Sequence, residues 1–226
     1  MIRYTVALVL ILGTAIPSHT QQPQSQPTPA TPQPQNTASS TDSPTSQLPL
    51  SAEGKLRYFV HESIRPGVWA VAGVYTGISM AHPPGHYPPE WRQGMQAFGR
   101  NYGDFMASWT AVQAGQFVMA AATHEDPRYP RSTRSGLMPR TMHALAFVFI
   151  AHSDSGRNRL ALSHFAGAAA GGFVGNAYLP SGYDDASHGL TRSALAFSGF
   201  FTSNLADEFH PDLVRIAHKL HIPFVK

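Results

Sequence analysis

Apolar positions in the second part of the chain follow a helical rather than an alternating spacing, and proline or glycine separates one apolar stretch from the next. A capping serine at Ser51 predicts a first helix that ends near Pro66. The further predicted helical segments are 67–80, 89–123, 139–152, 157–177, 190–209 and 211–220. Since sustained polar–apolar alternation does not occur, the pattern predicts an all-α domain, a compact bundle of about five to seven helices.

Small residues recur at every fourth position in several of these predicted helices, in the manner of a glycine zipper. Residues four apart share one helix face, and a face of glycine and alanine lets a neighbouring helix approach closely. Glycine inside a helix costs about 1 kcal/mol relative to alanine, so regular glycines need a packing reason. The glycines that we predict to pack helices together are Gly73, Gly77, Gly99, Gly103, Gly115, Gly167, Gly171 and Gly175.

The first 50 residues differ in composition from the helical part. Arg3 followed by an apolar stretch over 4–16 predicts a signal peptide spanning 1–20. Over 21–50, proline, glutamine, serine and threonine supply 24 of the 30 residues, which predicts a disordered linker. The remaining residues, 51–226, form the predicted helical domain. A signal peptide implies export, so we expect the domain in the periplasm or cell envelope, with membrane association open.

Composition narrows the function further. The chain contains no cysteine, which excludes disulfides, thiolate metal sites and a lipid-modified cysteine. Only 13% of residues are charged and the net charge is +3, which disfavours a nucleic-acid partner. One local group of cations consists of Arg128, Arg131, Arg134 and Arg140. We expect these side chains to lie on a solvated loop or to contact an anionic lipid or polysaccharide.

Two uncharged windows, 105–124 and 160–183, reach the length of about 20 residues that a membrane span requires. Both are rich in alanine, glycine and serine, whereas strong spans are rich in leucine, isoleucine and valine. The windows therefore leave a water-soluble bundle and a membrane-embedded one both open.

The densest polar run in the chain is 124–129, with the sequence His-Glu-Asp-Pro-Arg-Tyr. Its residues His124, Glu125 and Asp126 are candidate acid–base groups for catalysis. The alternative interpretation is structural: the run is the end of a helix, which the proline terminates. A catalytic role predicts that they meet others of the chain's polar residues in one cleft, namely His143, His152 or Asp154. We predict no metal site and no cofactor, because no metalloprotease, nucleophile-elbow, phosphate-loop or dinucleotide motif occurs.

The run 124–129, together with Asp-Ser-Gly-Arg at 154–157 and Asn-Ala-Tyr at 176–178, resembles a family of exported helical proteins of environmental bacteria such as Acidobacteria. The resemblance covers most of 51–226. It implies an exported helical domain and carries no activity, so no catalytic role transfers to this chain.

Three functions follow as hypotheses. The first is a non-catalytic protein of the cell envelope that self-associates or associates with a membrane. The second is a soluble periplasmic binding module for an apolar ligand, which predicts an apolar cavity between helices. The third is an exported hydrolase that uses the run 124–126, which predicts convergence of those side chains in one cleft.

Overall fold

Six α-helices and a small antiparallel sheet make up the computed structural model, which describes residues 48–83 and 87–220. The predicted all-α bundle is confirmed. The predicted signal peptide over 1–20 and nearly all of the predicted linker lie outside the described residues. The elements are α1 Ala52–Ile64, α2 Pro66–Ala81, α3 Gly94–Thr123, β1 Glu125–Asp126, α4 Leu137–Phe149, β2 Ile150–Ser153, β3 Asn158–Leu160, α5 Leu162–Asn176 and α6 Ala186–Lys219.

The three short strands pair in the order β1-β2-β3. Strands β2 and β3 replace the end of the predicted helix 139–152 and the start of the predicted helix 157–177, and β1 follows the predicted end of the helix 89–123. In β1 and β2, Glu125 lies opposite Ser153, and in β2 and β3, Ile150 lies opposite Leu160. The turn between β2 and β3 contains Gly156 with a φ of 77°, a conformation that favours glycine. Because this hairpin sits between α4 and α5, α4 ends at residue 149 and α5 begins at residue 162.

Helix α3 begins five residues later than predicted. Pro89–Trp91 form a single 3₁₀ turn, and Gly94 with a φ of 88° separates the turn from the helix. The turn stays attached to α3 because Trp91 is buried and its carbonyl accepts a hydrogen bond of 2.8 Å from Asn101 Nδ2.

Helix α6 runs through Pro211, where the sequence predicted a break between two helices. Proline has no N–H to donate to the carbonyl four residues earlier, which belongs to Asp207. Arg131 Nε donates to that carbonyl at 2.9 Å and so supplies the missing donor. An arginine from a distant loop therefore keeps α6 continuous for 34 residues.

Helix α5 is the centre of the bundle, and its small residues let α3 and α6 approach its backbone. A Cβ added at Gly167 would lie 2.8 Å from the Val112 carbonyl oxygen of α3, and one at Gly172 would lie 2.7 Å from the Gly189 carbonyl oxygen of α6. Similar close approaches occur at Gly115, Gly171 and Gly175. The buried apolar centre beside this contact consists of Val112, Val148, Ala168 and Phe200.

The other four glycines of the predicted packing stripes lie elsewhere. At Gly73, Gly77, Gly99 and Gly103, no heavy atom outside the local backbone lies within 4 Å of the position a Cβ would take. Within residues 48–83 and 87–220, these glycines of α2 and α3 therefore have no neighbouring helix against them.

The two groups of glycines give a matched test of helix packing. We expect Gly167→Ala to lower the free energy of unfolding by about 2 kcal/mol, because the added methyl overlaps the backbone of α3. We expect Gly99→Ala to raise it by about 1 kcal/mol, because the space is open and alanine favours helix. Urea unfolding measures both variants, and equal effects would contradict the close α3–α5 approach.

Among the described residues, no helix is both long enough and apolar enough to cross a bilayer. The uncharged windows 105–124 and 160–183 fall mainly on α3 and α5, whose small residues face each other inside the bundle.

Candidate functional site

The structure places the three candidate residues of the polar run in three different environments. His124 ends α3 in the left-handed conformation, with a φ of 55° and a side chain that is 80% exposed. Glu125 is fully buried. Asp126 accepts a hydrogen bond of 2.9 Å from Arg128 Nε. Burial acts to raise the pKa of Asp126, but the hydrogen bonds from Arg128 outweigh it and lower that pKa.

Glu125 caps the start of α5 from a neighbouring strand. Its Oε1 accepts from Leu162 N at 3.1 Å and from Thr123 Oγ1 at 2.9 Å, and its Oε2 accepts from Ser163 N at 3.0 Å. Ala161, the residue at the N-cap position of α5, has no side chain that can do this. The carboxylate thus satisfies two orphan N–H groups at the positive end of a helix.

Asp154 neutralises a buried lysine and brings His124 near it. Lys55, with a side chain only 2% exposed, lies 2.8 Å from Asp154 Oδ2, and its Nζ also donates to the Ala120 carbonyl at 3.2 Å. His124 Nδ1 lies 3.6 Å from the same Asp154 oxygen. This cluster joins α1, the end of α3 and the hairpin, and a buried cation needs such a partner.

A second polar cluster forms around Glu208 of α6, whose side chain is 1% exposed. Its Oε2 accepts from Tyr129 Oη at 3.0 Å and from Ser132 N at 2.9 Å, and its Oε1 accepts from Arg140 Nε at 2.8 Å. Burial acts to raise the pKa of Glu208, but these hydrogen bonds outweigh it, so the pKa is lowered and the carboxylate is ionised. The cluster fixes the loop 129–134 between α4 and α6.

His143 of α4 belongs to this second cluster. Its Nδ1 lies 2.9 Å from Tyr129 Oη, and its ring stacks on Phe147 with centroids 4.4 Å apart. Burial, together with the charge of Arg134, lowers the pKa of His143 despite the opposing effect of Glu208. No local pattern predicts that Glu208 meets these residues, because 79 positions separate it from Tyr129.

A groove of about 480 Å³ lies between the loop 130–134 and α4. Arg131 contributes one nitrogen to the Asp207 carbonyl, and Arg134 makes no side-chain hydrogen bond or ion pair within the described ranges. Both guanidinium groups therefore have N–H donors that can bind a ligand. The groove is lined by Arg131, Ser132, Arg134, Met142, His143 and His152, among others.

The outer face of α4 beside this groove is apolar and exposed. Its apolar residues are spaced by four, three and four positions, which places them on one side of the helix. Met142 belongs both to this face and to the lining of the groove. The face, which we call the α4 face, consists of Met138 (70% exposed), Met142 (53%), Leu145 (39%) and Phe149 (48%).

An apolar surface groove of about 490 Å³ lies between α3 and α5. Its lining is formed by small or apolar residues, among them Ala111, Ala114, Val118, Ala166, Ala170 and Val174. Val118 is 64% exposed, so this is an open groove on the bundle surface and not an enclosed chamber between helices. Over the described ranges, no group of three or more histidine or acidic side chains has the arrangement of a metal site.

The buried His164 gives a prediction for pH dependence. Its Nδ1 lies 2.8 Å from the Val148 carbonyl, its ring stacks on Phe200, and burial lowers its pKa. The folded state therefore disfavours the charged ring, so its stabilising contribution is complete above about pH 6.5 and is lost as the pH falls through the lowered value.

We expect the free energy of unfolding to fall between pH 7 and pH 5, with at most about 1.4 kcal/mol per pH unit from each such histidine. The variant His164→Phe keeps a stacked ring and should show a shallower fall, since one titrating group is gone. The control is His61→Gln, at an exposed position. In this variant, the free energy of unfolding should fall with decreasing pH as steeply as in the unmodified protein. Equal slopes in both variants would contradict the role of His164.

The three runs that carry the family resemblance lie in β1, in the β2–β3 turn and at the end of α5. In the third run, Asn176 Nδ2 donates to the carbonyls of Asp184 and Asp185, and Tyr178 Oη donates to Asp104. Each run thus has structural contacts, and the resemblance stays a prediction. Comparisons of the chain with protein-family models, with curated proteins and with solved structures found no match.

Proposed function

We propose that this protein is a non-catalytic component of the cell envelope that lies on an anionic membrane surface with the α4 face against the lipid. The observation that carries the proposal is the exposed apolar row on α4 directly beside two arginines with free N–H groups. The predicted signal peptide over 1–20 supports the placement in the envelope.

The α4 face has the properties of a helix that rests in a membrane interface. Such helices bury an apolar side in the boundary between headgroups and acyl chains, without spanning the bilayer. Each of the four side chains keeps a large part of its surface in water, and moving that surface into lipid contributes about 1 kcal/mol per side chain. Leu137, 72% exposed at the start of the helix, adds to the same end of the face.

The arginines beside the α4 face add an electrostatic attraction to an anionic membrane surface. Arg131 and Arg134 lie on the loop that precedes α4, and neither forms an ion pair with a carboxylate of the described residues. Each cation close to an anionic bilayer contributes about 1 kcal/mol. A guanidinium also binds a lipid phosphate with two parallel hydrogen bonds, which an ammonium does not.

The geometry lends less support to the hydrolase hypothesis. Glu125 is occupied by three donors that fix the start of α5, and Asp126 is occupied by Arg128. His124 is the one candidate of the three with an exposed side chain, and its nearest acidic partner already neutralises Lys55.

Self-association is a second candidate, favoured by one feature of α2. This helix contains no charged residue, and no other part of the described structure covers Gly73 and Gly77, which lie beside the exposed Val74 and Ile78. Glycines four apart allow a helix of a second copy to cross closely at such a surface.

Vesicle flotation tests the membrane proposal. We expect the full chain to float with vesicles that contain phosphatidylglycerol and to bind neutral phosphatidylcholine vesicles at least tenfold more weakly. The variant Met142→Glu should lose at least tenfold in affinity for the anionic vesicles, because a carboxylate is repelled by them and cannot enter lipid. The matched control is Leu190→Glu on α6, a residue that is 62% exposed and lies outside the α4 face.

Equal losses in the two variants, or equal binding to both kinds of vesicle, would contradict the proposal. Light scattering on the same samples before vesicles are added reports the oligomeric state. A stable dimer that binds no vesicles would favour self-association instead.

A further inference from the structure

We infer that the groove between the loop 130–134 and α4 is a binding site for a phosphate group that still carries a proton, with His143 as the acceptor of that proton's hydrogen bond. The ligand class is inorganic phosphate, or a phosphate monoester in its singly protonated form. The inference shares Arg131 and Arg134 with the proposed membrane association and adds His143 inside the groove, and its test with soluble anions is separate from the flotation test of the α4 face.

The hydrogen bonds around Tyr129 fix which nitrogen of His143 carries the proton. Tyr129 Oη has a single hydrogen and lies 3.0 Å from Glu208 Oε2 and 2.9 Å from His143 Nδ1. Because an ionised carboxylate can only accept, the tyrosine hydrogen goes to Glu208. The second contact then requires that His143 Nδ1 donates to the tyrosine oxygen.

The Nε2 atom of His143 is therefore left with a lone pair. Its ring is held in place by Phe147 on one side and by Tyr129 at Nδ1, and the residue lines the groove. The lowered pKa of His143 keeps this ring neutral at pH 7. A neutral Nε2 accepts a hydrogen bond and repels a ligand that offers only oxygen acceptors.

The loop supplies the positive charge that an anion requires, and the fold holds that loop in position. Arg131 is fixed by the Asp207 carbonyl, which Pro211 leaves without a helical donor. Ser132 is fixed by its N–H, which donates to Glu208 at 2.9 Å. Arg134 lies close enough to His143 for its charge to lower the pKa of that ring. The site thus combines cations with one fixed acceptor.

This combination distinguishes between anions of similar shape. Inorganic phosphate carries a P–OH group at pH 7, and a phosphate monoester, whose second pKa is about 6, carries one in its singly protonated form. This P–OH group can donate to Nε2 while the other oxygens bind the arginines. Sulfate and phosphate diesters have no such hydrogen and would place an oxygen lone pair against Nε2. An unmatched acceptor pair in a partly buried site is unfavourable, so we expect discrimination of about tenfold.

Isothermal titration of the full chain with inorganic phosphate and with sulfate at pH 7 tests the site. We expect phosphate to bind about tenfold more tightly than sulfate, and Arg134→Gln to weaken both anions by a similar factor. In His143→Phe, the two anions should bind equally, because the arginines remain and the acceptor is gone. Urea unfolding checks that each variant is folded.

Nitrogen-15 NMR of the His143 ring gives a readout that a purely structural role would not move. The wild-type ring should show a protonated Nδ1 and a bare Nε2. Tyr129→Phe removes the hydrogen bond that fixes Nδ1, so the ring should become a mixture of tautomers and the preference for phosphate should shrink. Tyr129 is in this sense a positioning residue.

Vesicles distinguish the two sources of the same phosphate chemistry. If the natural source is a lipid headgroup, vesicles with phosphatidic acid, a monoester, should compete with inorganic phosphate, and His143→Phe should weaken binding to them. If the source is a soluble phosphate, those vesicles should not compete. Equal affinity for phosphate and sulfate, a preference that survives His143→Phe, or no binding of either anion would each overturn the inference, while the flotation result for the α4 face would stand separately.

Discussion

Glu125→Gln is expected to lower the free energy of unfolding by about 3 kcal/mol. The glutamine has the same shape but one oxygen becomes an NH₂ group, so at least one of the three donors that face it loses its acceptor. The N–H groups of Leu162 and Ser163 open α5, and their bonds to Glu125 are part-buried and buried, respectively. Leaving a buried N–H unsatisfied costs about 1–3 kcal/mol beyond the lost charge-assisted bond. Urea unfolding at pH 7 measures the difference.

The control for this prediction is Glu53→Gln in the first turn of α1, where the carboxylate is exposed and pairs with the exposed Arg57. We expect little change there, because exposed ion pairs contribute little. Similar losses in the two variants would show that the capping of α5 by Glu125 is not what stabilises the bundle.

Arg140→Met is expected to lower the free energy of unfolding by about 3 kcal/mol, the lower end of the range for breaking a buried ion pair, since the arginine itself is 21% exposed. The substitution leaves Glu208 buried without a cation and also removes the 2.6 Å contact to Asp212. Some of the packing of Arg140 over the Phe209 ring is kept by the methionine chain.

A double variant shows whether the loss comes from the stranded charge. In Arg140→Met with Glu208→Gln, the buried group is neutral, so the total loss should be smaller than the sum of the two single losses. Strict additivity would mean that the two side chains do not act as a pair. Acid titration gives a second check, because the pKa of Glu208 is lowered by hydrogen bonds that include Arg140 and should rise in Arg140→Met.

The sequence predicts the helical architecture because helix packing leaves a local, periodic trace. Gly167 and Gly171 fall four apart, and both lie where α3 approaches α5. The same spacing at Gly73 and Gly77 lies on a surface that no other described residue covers. Spacing therefore identifies a face on which a helix could pack, and which neighbour covers that face depends on the whole fold.

Element boundaries depended on contacts that are remote in the sequence. Pro211 predicts a break because proline lacks an N–H, yet Arg131 donates to the carbonyl that proline leaves free, that of Asp207, across a separation of 76 positions. The local sequence at Ile150 predicts helix. The segment is extended in the structure because β1 and β3 pair with it on both sides. No local propensity encodes either contact.

The polar residues of the site were the least predictable part. The sequence presents Glu125 as a candidate base. In the structure, its carboxylate accepts hydrogen bonds from the start of α5, 37 positions away. No sequence motif marks Glu208 as a site residue, because its neighbours have the pattern of an ordinary polar turn of a helix. Its importance comes from burial beside Tyr129 and Arg140, which only the packing of α4 and α6 brings about.

Spin labels on the α4 face test the central claim most directly. The chain has no cysteine, so Met142→Cys and Leu190→Cys each provide one labelling position. With phosphatidylglycerol vesicles, the label at 142 should become more accessible to oxygen, which concentrates in lipid, and less accessible to a water-soluble nickel complex. The label at 190 should stay accessible to nickel. A label at 142 that remains fully accessible to nickel while the protein is bound to the vesicles would contradict the proposal that the α4 face meets the membrane.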